Sequence, residues 1–197
     1  MTSSNHLRRR ALVSALLARR DGALVVPGLG SPTWDCFAAG GSPEYLYSWG
    51  GMGLAVPTAL GVALAQPGRR VLALTGDGEM MMGLGSLAVV GAQAPGNLGI
   101  LVLDNESFGE TGRQAGLTGI RADLIAMARG AGIGHTLAVT GMDQLDALAD
   151  LMFRQPGPTF ATAKIALTDE PWALPEKDGS VIARQFRGAV EAGRAAE

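Results

Sequence analysis

The residues of this sequence best suited to chemistry are an aspartate and an asparagine that each follow an apolar segment. Asp77 lies between two glycines after the segment 71–75, and Asn105 directly follows Leu98–Asp104. A carboxylate and a carboxamide are oxygen ligands of the kind that Mg²⁺ accepts. The flanking glycines let a phosphate group approach the backbone closely. These residue types predict a site for a phosphate or diphosphate that is bridged by a metal ion.

The elements that must position these side chains form a strand–helix–strand unit. Residues 71–75 and 98–104 are predicted as strands, with a tight turn at 76–78 and a helix over about 83–92. Such a unit packs as a right-handed crossover between parallel strands, so both strands end at one edge of the sheet. Ligands of open α/β sheets bind at that edge. Asp77 and Asn105, with 27 residues between them, should therefore lie side by side.

The rest of the 197-residue chain repeats the alternation of strand and helix patterns. Further strands are predicted at 23–26, 45–47, 135–139 and 159–165. Alternating strands and helices predict a three-layer α/β/α fold with a mostly parallel sheet of roughly six strands. We expect residues 1–197 to form a single domain. The fold class is thus α/β.

Composition narrows the possible partners. A net charge of −2 gives no sign of nucleic-acid binding, and no apolar run approaches the length of a membrane span. The single cysteine, Cys36, suits a reducing compartment, and we predict a cytoplasmic protein. Hydrophobic residues make up 47% and charged residues 17%, which buried partner surface would explain.

The first twenty residues contain five arginines and no acidic residue. This composition is compatible with an organellar transit peptide. It is also compatible with an ordinary amphipathic helix over 5–20, with Leu12, Ala15 and Leu16 inward and the arginines in solvent. We favour the helix, because the segment runs into the first strand without a cleavable spacer.

A second small-residue segment, SWGGMG, lies upstream of the first site. It places Gly50, Gly51 and Gly53 around Met52, 25 residues before Asp77. Such a bare backbone allows close approach of a flat ligand, although a glycine-rich helix start would look the same.

Together these features resemble thiamine diphosphate enzymes. The shared features are the glycine–aspartate–glycine triplet that ends a strand, an asparagine that follows it after 26 residues, and the small-residue run around Met52. The resemblance extends from about residue 7 to 165 and covers the diphosphate-binding (PP) domain. It is closest to the decarboxylases of phosphonopyruvate and sulfopyruvate, which have segments similar to GDGEMMMGLGSLA and DNESFGETGRQ.

The resemblance implies roles for individual residues. Asp77, the Asn105 side chain and the Ser107 backbone carbonyl would bind Mg²⁺. Met52 would be the apolar wedge that bends the cofactor, and the Gly50 carbonyl would accept a hydrogen bond from its aminopyrimidine. Gly78 and Glu79 would offer backbone groups to the diphosphate, and the remaining cofactor-binding positions are Gly51, Gly76, Phe108 and Gly109. The sequence departs from the family pattern at Asp104, where asparagine is frequent, and at Glu106, where small residues are usual.

The same resemblance predicts that part of the active site lies on another polypeptide chain. Thiamine enzymes use a glutamate on a separate pyrimidine-binding domain, for which this chain has no room. The chain itself therefore has no predicted catalytic residue, and a pyrimidine-binding (alpha) subunit should supply the activating glutamate in a heterotetramer or larger assembly. The implied reaction is loss of CO₂ from a small 2-oxo acid to give an aldehyde. Two alternatives remain: an acetolactate synthase-like carboligase subunit, and a non-catalytic α/β module that binds a phosphate ligand.

Several other polar residues are weaker candidates for contact with the substrate. Glu110, Thr111, Arg113 and Gln114 could face the substrate, and Arg113 could pair with an acidic group on it. For each of them a solvated loop position is the simpler interpretation. The loop at residues 27–32 could contact a ligand or be a plain turn.

Overall fold

The fold was analysed in a computed structural model, which describes residues 6–194. In chain order its helices and strands are α1 (Arg9–Leu17), β1 (Leu24–Pro27), α2 (Ser31–Ala38), α3 (Ala55–Ala65), β2 (Val71–Gly76), α4 (Asp77–Met82), α5 (Ser86–Gln93), β3 (Leu98–Asp104), β4 (Ser107–Phe108), β5 (Gln114–Ala115), α6 (Leu117–Ile120), α7 (Leu124–Gly130), β6 (His135–Val139), a 3₁₀ turn (Met142–Gln144), α8 (Leu145–Phe153), β7 (Thr159–Lys164) and α9 (Gly179–Arg194).

The main sheet contains five parallel strands in the order β1-β2-β3-β7-β6. Strands β4 and β5 pair antiparallel as a separate short hairpin. Strand β7 is last in sequence but lies between β3 and β6, so β6 joins the sheet only through β7. The predicted mostly parallel α/β architecture is confirmed.

Two apolar layers cover the faces of the sheet. Along β2, Leu72 and Leu74 pack with α1, α2 and α8, whereas Val71 and Ala73 pack with α3, α5 and α7. The strand is buried on both faces because helices cover both, as expected for a parallel sheet. No helix in the described part of the chain, residues 6–194, is long and apolar enough to cross a bilayer.

The structure corrects three local predictions. The expected sixth strand at 45–47 is only an isolated bridge between Tyr45 and Val25, so the sheet has five strands. Residues 76–78 do not form a tight turn, because Gly76 is extended and ends β2 while Asp77 begins α4. An acidic residue in a first helical turn favours this early start. The arginines of α1 are also not all in solvent, since Arg9 is buried. Of the predicted helix 5–20, residue 5 lies outside the described residues.

Arg70 ties β2 to the end of α8, and this contact predicts a stability effect. Its guanidinium donates to the carbonyl oxygens of Gly96, Leu151, Met152 and Gln155. Arg70 is partly buried, and this burial lowers the pKa of its guanidinium to about 10. Arg70→Met should lower the free energy of unfolding by about 2–4 kcal/mol, because several carbonyl groups lose their donor.

Urea unfolding of the purified variant measures this loss, and Arg154→Met is the matched control. Arg154 pairs with Asp150 in an exposed contact one helical turn away. Such a pair contributes little, so the control should change the free energy of unfolding by less than about 0.5 kcal/mol. Equal losses in the two variants would contradict the role given to Arg70.

Candidate functional site

The carboxyl ends of β2 and β3 place the two predicted side chains at one edge of the sheet. In the parallel register Gly76 lies opposite Leu103, so Asp77 and Asn105 leave neighbouring strands at nearly the same level. Both line one cavity of about 210 Å³. The expected proximity of Asp77 and Asn105 is therefore confirmed.

Nine of the eleven residues predicted to bind the cofactor line this cavity: Met52, Gly76, Asp77, Gly78, Glu79, Asn105, Ser107, Phe108 and Gly109. Gly50 and Gly51 do not line it. They belong to the loop that precedes α3, where Gly50 has a φ of 73° that favours glycine. The structure thus brings together most of the predicted set, while the role of each residue towards a cofactor stays a prediction.

A buried pair of carboxylates lies beneath the cavity. The Thr118 hydroxyl is 3.1 Å from Asp77 Oδ2 and 2.8 Å from Asp104 Oδ1. A hydroxyl has one hydrogen, so it can donate to only one of the two carboxylates at a time. Burial and, secondarily, the charge of Asp104 raise the pKa of Asp77 to about 6. The site therefore favours a proton or a cation beside Asp77.

Lys164 offsets only part of this negative charge. Its Nζ donates to Asp104 Oδ2 at 2.8 Å and to Glu106 Oε1 at 2.5 Å. Burial lowers the pKa of Lys164, but the hydrogen bonds and charges of these two carboxylates outweigh it and the net shift is upward. The ammonium group thus pairs with Asp104 and Glu106, while Asp77 has the Asp104 charge beside it. A divalent cation would balance the remaining charge.

The ligand set predicted for that cation fits the local backbone. The Asn105 side-chain oxygen accepts a hydrogen bond from the Ser107 amide at 2.9 Å, which fixes the loop. The Glu106 carbonyl accepts from the Gly116 amide, and the Phe108 carbonyl accepts from the amides of Thr111 and Arg113, which hold this loop against the residues that follow it. Residues 6–194 contain no cluster of three His, Cys, Asp or Glu side chains for a metal, but the predicted set is of another kind.

An apolar wall faces this polar edge. A Cβ atom on Gly78 would lie 2.8 Å from the Phe108 ring and 3.9 Å from Met52 Cε. Gly78 therefore leaves room for the aromatic ring and the thioether to meet over its bare backbone. Met52 itself is 39% exposed. This arrangement can enclose a flat apolar group while Asp77 and Asn105 hold its charged end.

The Glu79 side chain supports the loops around the cavity. Its Oε2 accepts a hydrogen bond from the Thr75 hydroxyl at 2.9 Å and lies against Gly28, where a Cβ atom would come within 1.8 Å. Burial raises the pKa of Glu79, and the hydrogen bond from Thr75 partly opposes this. The carboxyl group thus fastens the loop after β1 to the start of α4.

The cavity is also lined by residues that the sequence does not single out, among them Ser31, Gly30 and Arg9. Ser31 belongs to the segment 27–32, which the sequence predicts as a loop that could contact a ligand. Its hydroxyl donates to Glu110 Oε1 at 2.7 Å across the cavity rim. Gly30, which directly precedes Ser31, lies beside Glu110. Arg9 also lines the cavity, although its position in an arginine-rich helix had suggested a solvated side chain. No sequence signal separated Arg9 from its neighbours.

Other candidates lie elsewhere or are already paired. Arg113 donates to both oxygens of Asp169, at 2.6 and 2.7 Å, in an exposed pair that favours the solvated-loop interpretation. Gln114 is exposed in β5. Cys36 is fully buried, and burial raises the pKa of its thiol, so it is poorly suited to nucleophilic chemistry.

Gly83, which follows α4, packs against the loop that contains Met52 and Gly53 (the Met52 loop). This contact gives a second testable prediction. A Cβ atom on Gly83 would lie 2.3 Å from the Gly53 carbonyl oxygen. Gly83→Ala should therefore push this loop away and lower the free energy of unfolding by about 1–3 kcal/mol. Gly85→Ala is the control, because its Cβ would meet open space and its backbone is helical. Urea unfolding should show no loss for Gly85→Ala, and a loss as large as that of Gly83→Ala would contradict the packing argument.

The sequence over residues 33–163 matches the family described as thiamine pyrophosphate enzyme, C-terminal TPP binding domain. The chain belongs to this family. The matched range includes Met52, Asp77 and Asn105, the residues from which the resemblance was drawn. The matched range contains β2 and β3, whose ends border the cavity, whereas Arg9 and Ser31 lie outside it.

Two relatives and one solved structure extend this assignment. The chain is 33% identical over 189 residues to sulfopyruvate decarboxylase subunit beta of Methanothermobacter thermautotrophicus, covering 94% of this chain and 98% of that subunit. It is 40% identical over 190 residues to phosphonopyruvate decarboxylase of Streptomyces viridochromogenes, covering 92% of this chain but 46% of that protein. An X-ray structure from Mycobacterium smegmatis, described as a thiamin diphosphate-dependent enzyme, superimposes with a TM-score of 0.71 over 82% of this chain and 32% of its own. At 23% identity it supports the fold alone.

Proposed function

We propose that this chain is the diphosphate- and Mg²⁺-binding subunit of a two-subunit thiamine diphosphate-dependent 2-oxo acid decarboxylase. The observation that carries the proposal is the buried Asp77 carboxylate at the cavity, with a pKa of about 6 and a second carboxylate beside it. Such a site favours a cation. The similarity to a decarboxylase subunit of nearly the same length supports the two-subunit form of the enzyme.

The residues of the chain have three tasks in this function. Asp77, the Asn105 side chain and the Ser107 carbonyl would hold Mg²⁺ and, through it, the diphosphate. Met52 and Phe108 would pack against the apolar part of the cofactor and keep water from it. Bound thiamine diphosphate supplies the electron sink for loss of CO₂ from the 2-oxo acid. An apolar wall favours that loss because it solvates a carboxylate poorly.

The activating glutamate would come from a partner subunit. Large apolar side chains near the cavity support such a partner, because several are exposed: Met52, Leu54, Met82, Leu117 and Ile120, at 39–69%. Met82 lies beside Gly53 in the Met52 loop, and α6 contacts α4, so these side chains surround the site. A pyrimidine-binding subunit that covered them would complete the cavity. The assembly would then be a heterotetramer or larger, and we predict that it is cytoplasmic.

The test is a titration with thiamine diphosphate and Mg²⁺, with the chain alone and with a candidate pyrimidine-binding subunit. Calorimetry should show Mg²⁺-dependent binding in the pair, and a screen of 2-oxo acids should then release CO₂ and an aldehyde. Absence of binding in the pair would overturn the proposal. Binding of a nucleotide instead would support the non-catalytic α/β module, and a carbon–carbon ligation product in place of the aldehyde would support the carboligase.

A further inference from the structure

Arg9 is a buried cation whose setting is unusual for a helix surface. Its side chain is 7% exposed, and its Nε pairs with Asp35 Oδ2. Asp35 is fully buried, and its other oxygen accepts from Arg10 Nε at 3.0 Å. Two guanidinium groups therefore share one carboxylate. The cluster keeps a net positive charge close to the cavity.

The remaining donors of Arg9 open into the cavity. A guanidinium carries five N–H groups, and within residues 6–194 Arg9 makes its side-chain hydrogen bond through Nε alone. Its Nη groups have no protein acceptor there, and the residue lines the cavity. These Nη atoms are not among the buried unpartnered atoms of the described residues, so they are accessible to solvent where the residue lines the cavity. Accessible guanidinium donors in a concave site are suited to an anionic ligand.

Arg9 lies at the Asn105 end of the cavity. A second, adjoining cavity of about 220 Å³ shares Arg9, Ser31 and Asn105 with the main one but includes neither Met52 nor Gly78. No other basic side chain among the described residues lines the main cavity. Lys164 is held by Asp104 and Glu106, and Arg113, which lines the adjoining cavity, is held by Asp169. Within the main cavity a polyanion would meet one basic side chain of the described residues, Arg9.

We infer that Arg9 is an anion-binding residue of the cofactor site and that its Nη groups donate to the terminal phosphate of the diphosphate. The inference rests on the proposed function. A diphosphate carries more negative charge than one Mg²⁺ neutralises, and Arg9 supplies the balance with donors suited to phosphate oxygens. Asp35 is the positioning residue, since its carboxylate fixes the guanidinium through Nε.

The test compares thiamine diphosphate with thiamine monophosphate, which lacks the terminal phosphate. Binding of each to the chain assembled with its pyrimidine-binding subunit is measured by calorimetry at fixed Mg²⁺. Arg9→Met should weaken the binding of thiamine diphosphate about 10- to 100-fold, as expected for the loss of a charge-assisted hydrogen bond. The same variant should change the affinity for thiamine monophosphate by less than about threefold. Arg9→Lys, which keeps the charge without the planar donors, should fall between Arg9→Met and the wild type.

Arg10→Met is the matched control, because Arg10 shares Asp35 but does not line the cavity. Arg10→Met should leave the ratio of the affinities for thiamine diphosphate and thiamine monophosphate unchanged. Equal weakening of both ligands by Arg9→Met, or no weakening, would overturn the inference. An unchanged thiamine diphosphate affinity with a raised KM for 2-oxo acids that carry a second anionic group would also overturn it and assign Arg9 to the substrate. Failure of the unaltered assembly to bind thiamine diphosphate would instead overturn the proposed function.

Discussion

Replacing Asp77 with asparagine should make the ligand-free protein more stable near neutral pH and should abolish Mg²⁺-dependent binding of thiamine diphosphate. Asparagine keeps the size of the side chain and can donate to the Asp104 carboxylate through its amide. It removes a buried negative charge that lies beside a second one. The same charge is the metal ligand we propose, so stability and binding should change in opposite directions.

The pH dependence of this effect follows from the raised pKa of Asp77. Burial and the charge of Asp104 raise it from 3.8 to about 6, so the folded protein binds this proton more tightly than the unfolded chain. Between about pH 4 and pH 6 the folded state keeps a proton that the unfolded state has lost, and the free energy of unfolding falls as pH rises. The difference is roughly 1–3 kcal/mol above about pH 6. Asp77→Asn should lack this decline.

Urea unfolding of both proteins in a metal chelator, at about pH 4.5 and pH 7, measures the stability difference. Calorimetry with thiamine diphosphate and Mg²⁺ on the assembled pair measures binding. A variant that is less stable than the wild type at neutral pH would contradict the account of the buried charge. A variant that still binds the cofactor in a Mg²⁺-dependent way would remove Asp77 from the metal site.

Removing the carboxylate of Asp35 should be the most damaging single change to stability among those considered. Asp35 is fully buried in α2 and binds the guanidinium groups of Arg9 and Arg10 on α1. Breaking a buried ion pair from one side leaves an uncompensated charge, which costs about 3–5 kcal/mol. Asp35→Ala should therefore lower the free energy of unfolding by about that amount.

The double variant Asp35→Leu with Arg9→Met is the informative comparison. It replaces the buried pair with apolar side chains and lets Arg10, which is 23% exposed, turn into solvent. Such replacements are often neutral or stabilising. Urea unfolding should show that the double variant recovers most of the loss. If it is as unstable as Asp35→Ala, the loss comes from packing of the helices and not from unpaired charge.

Much of the sheet and the position of the site follow from local sequence. The strands Leu98–Asp104 and His135–Val139 were predicted with the bounds that the structure has. The first of them is a short apolar run between turn signals. The proximity of Asp77 and Asn105 follows from the handedness of the crossover, which does not depend on side-chain detail. Long-range geometry was therefore predictable where topology alone determines it.

The errors occurred where distant residues decide a local structure. The burial of Arg9 depends on Asp35, which is 26 residues away. The short hairpin after Asn105 has too few residues for an alternating pattern to show. Hydrophobic periodicity along the sequence predicts neither of these features.

The position of β7 between β3 and β6 determines when the site can form as the chain is synthesised. Strand β6 has no neighbour in the sheet except β7, and the ion pair between Lys164 and Asp104 also needs β7. A nascent chain that has emerged only to about residue 155 therefore exposes one edge of β3 and leaves β6 unpaired. Pairing between strands so far apart in sequence is slow and leaves unpaired edges open to aggregation. The Asp104 carboxylate would also lack Lys164 until this strand inserts, so the edge that carries Asp77 and Asn105 should be among the last parts of the protein to form.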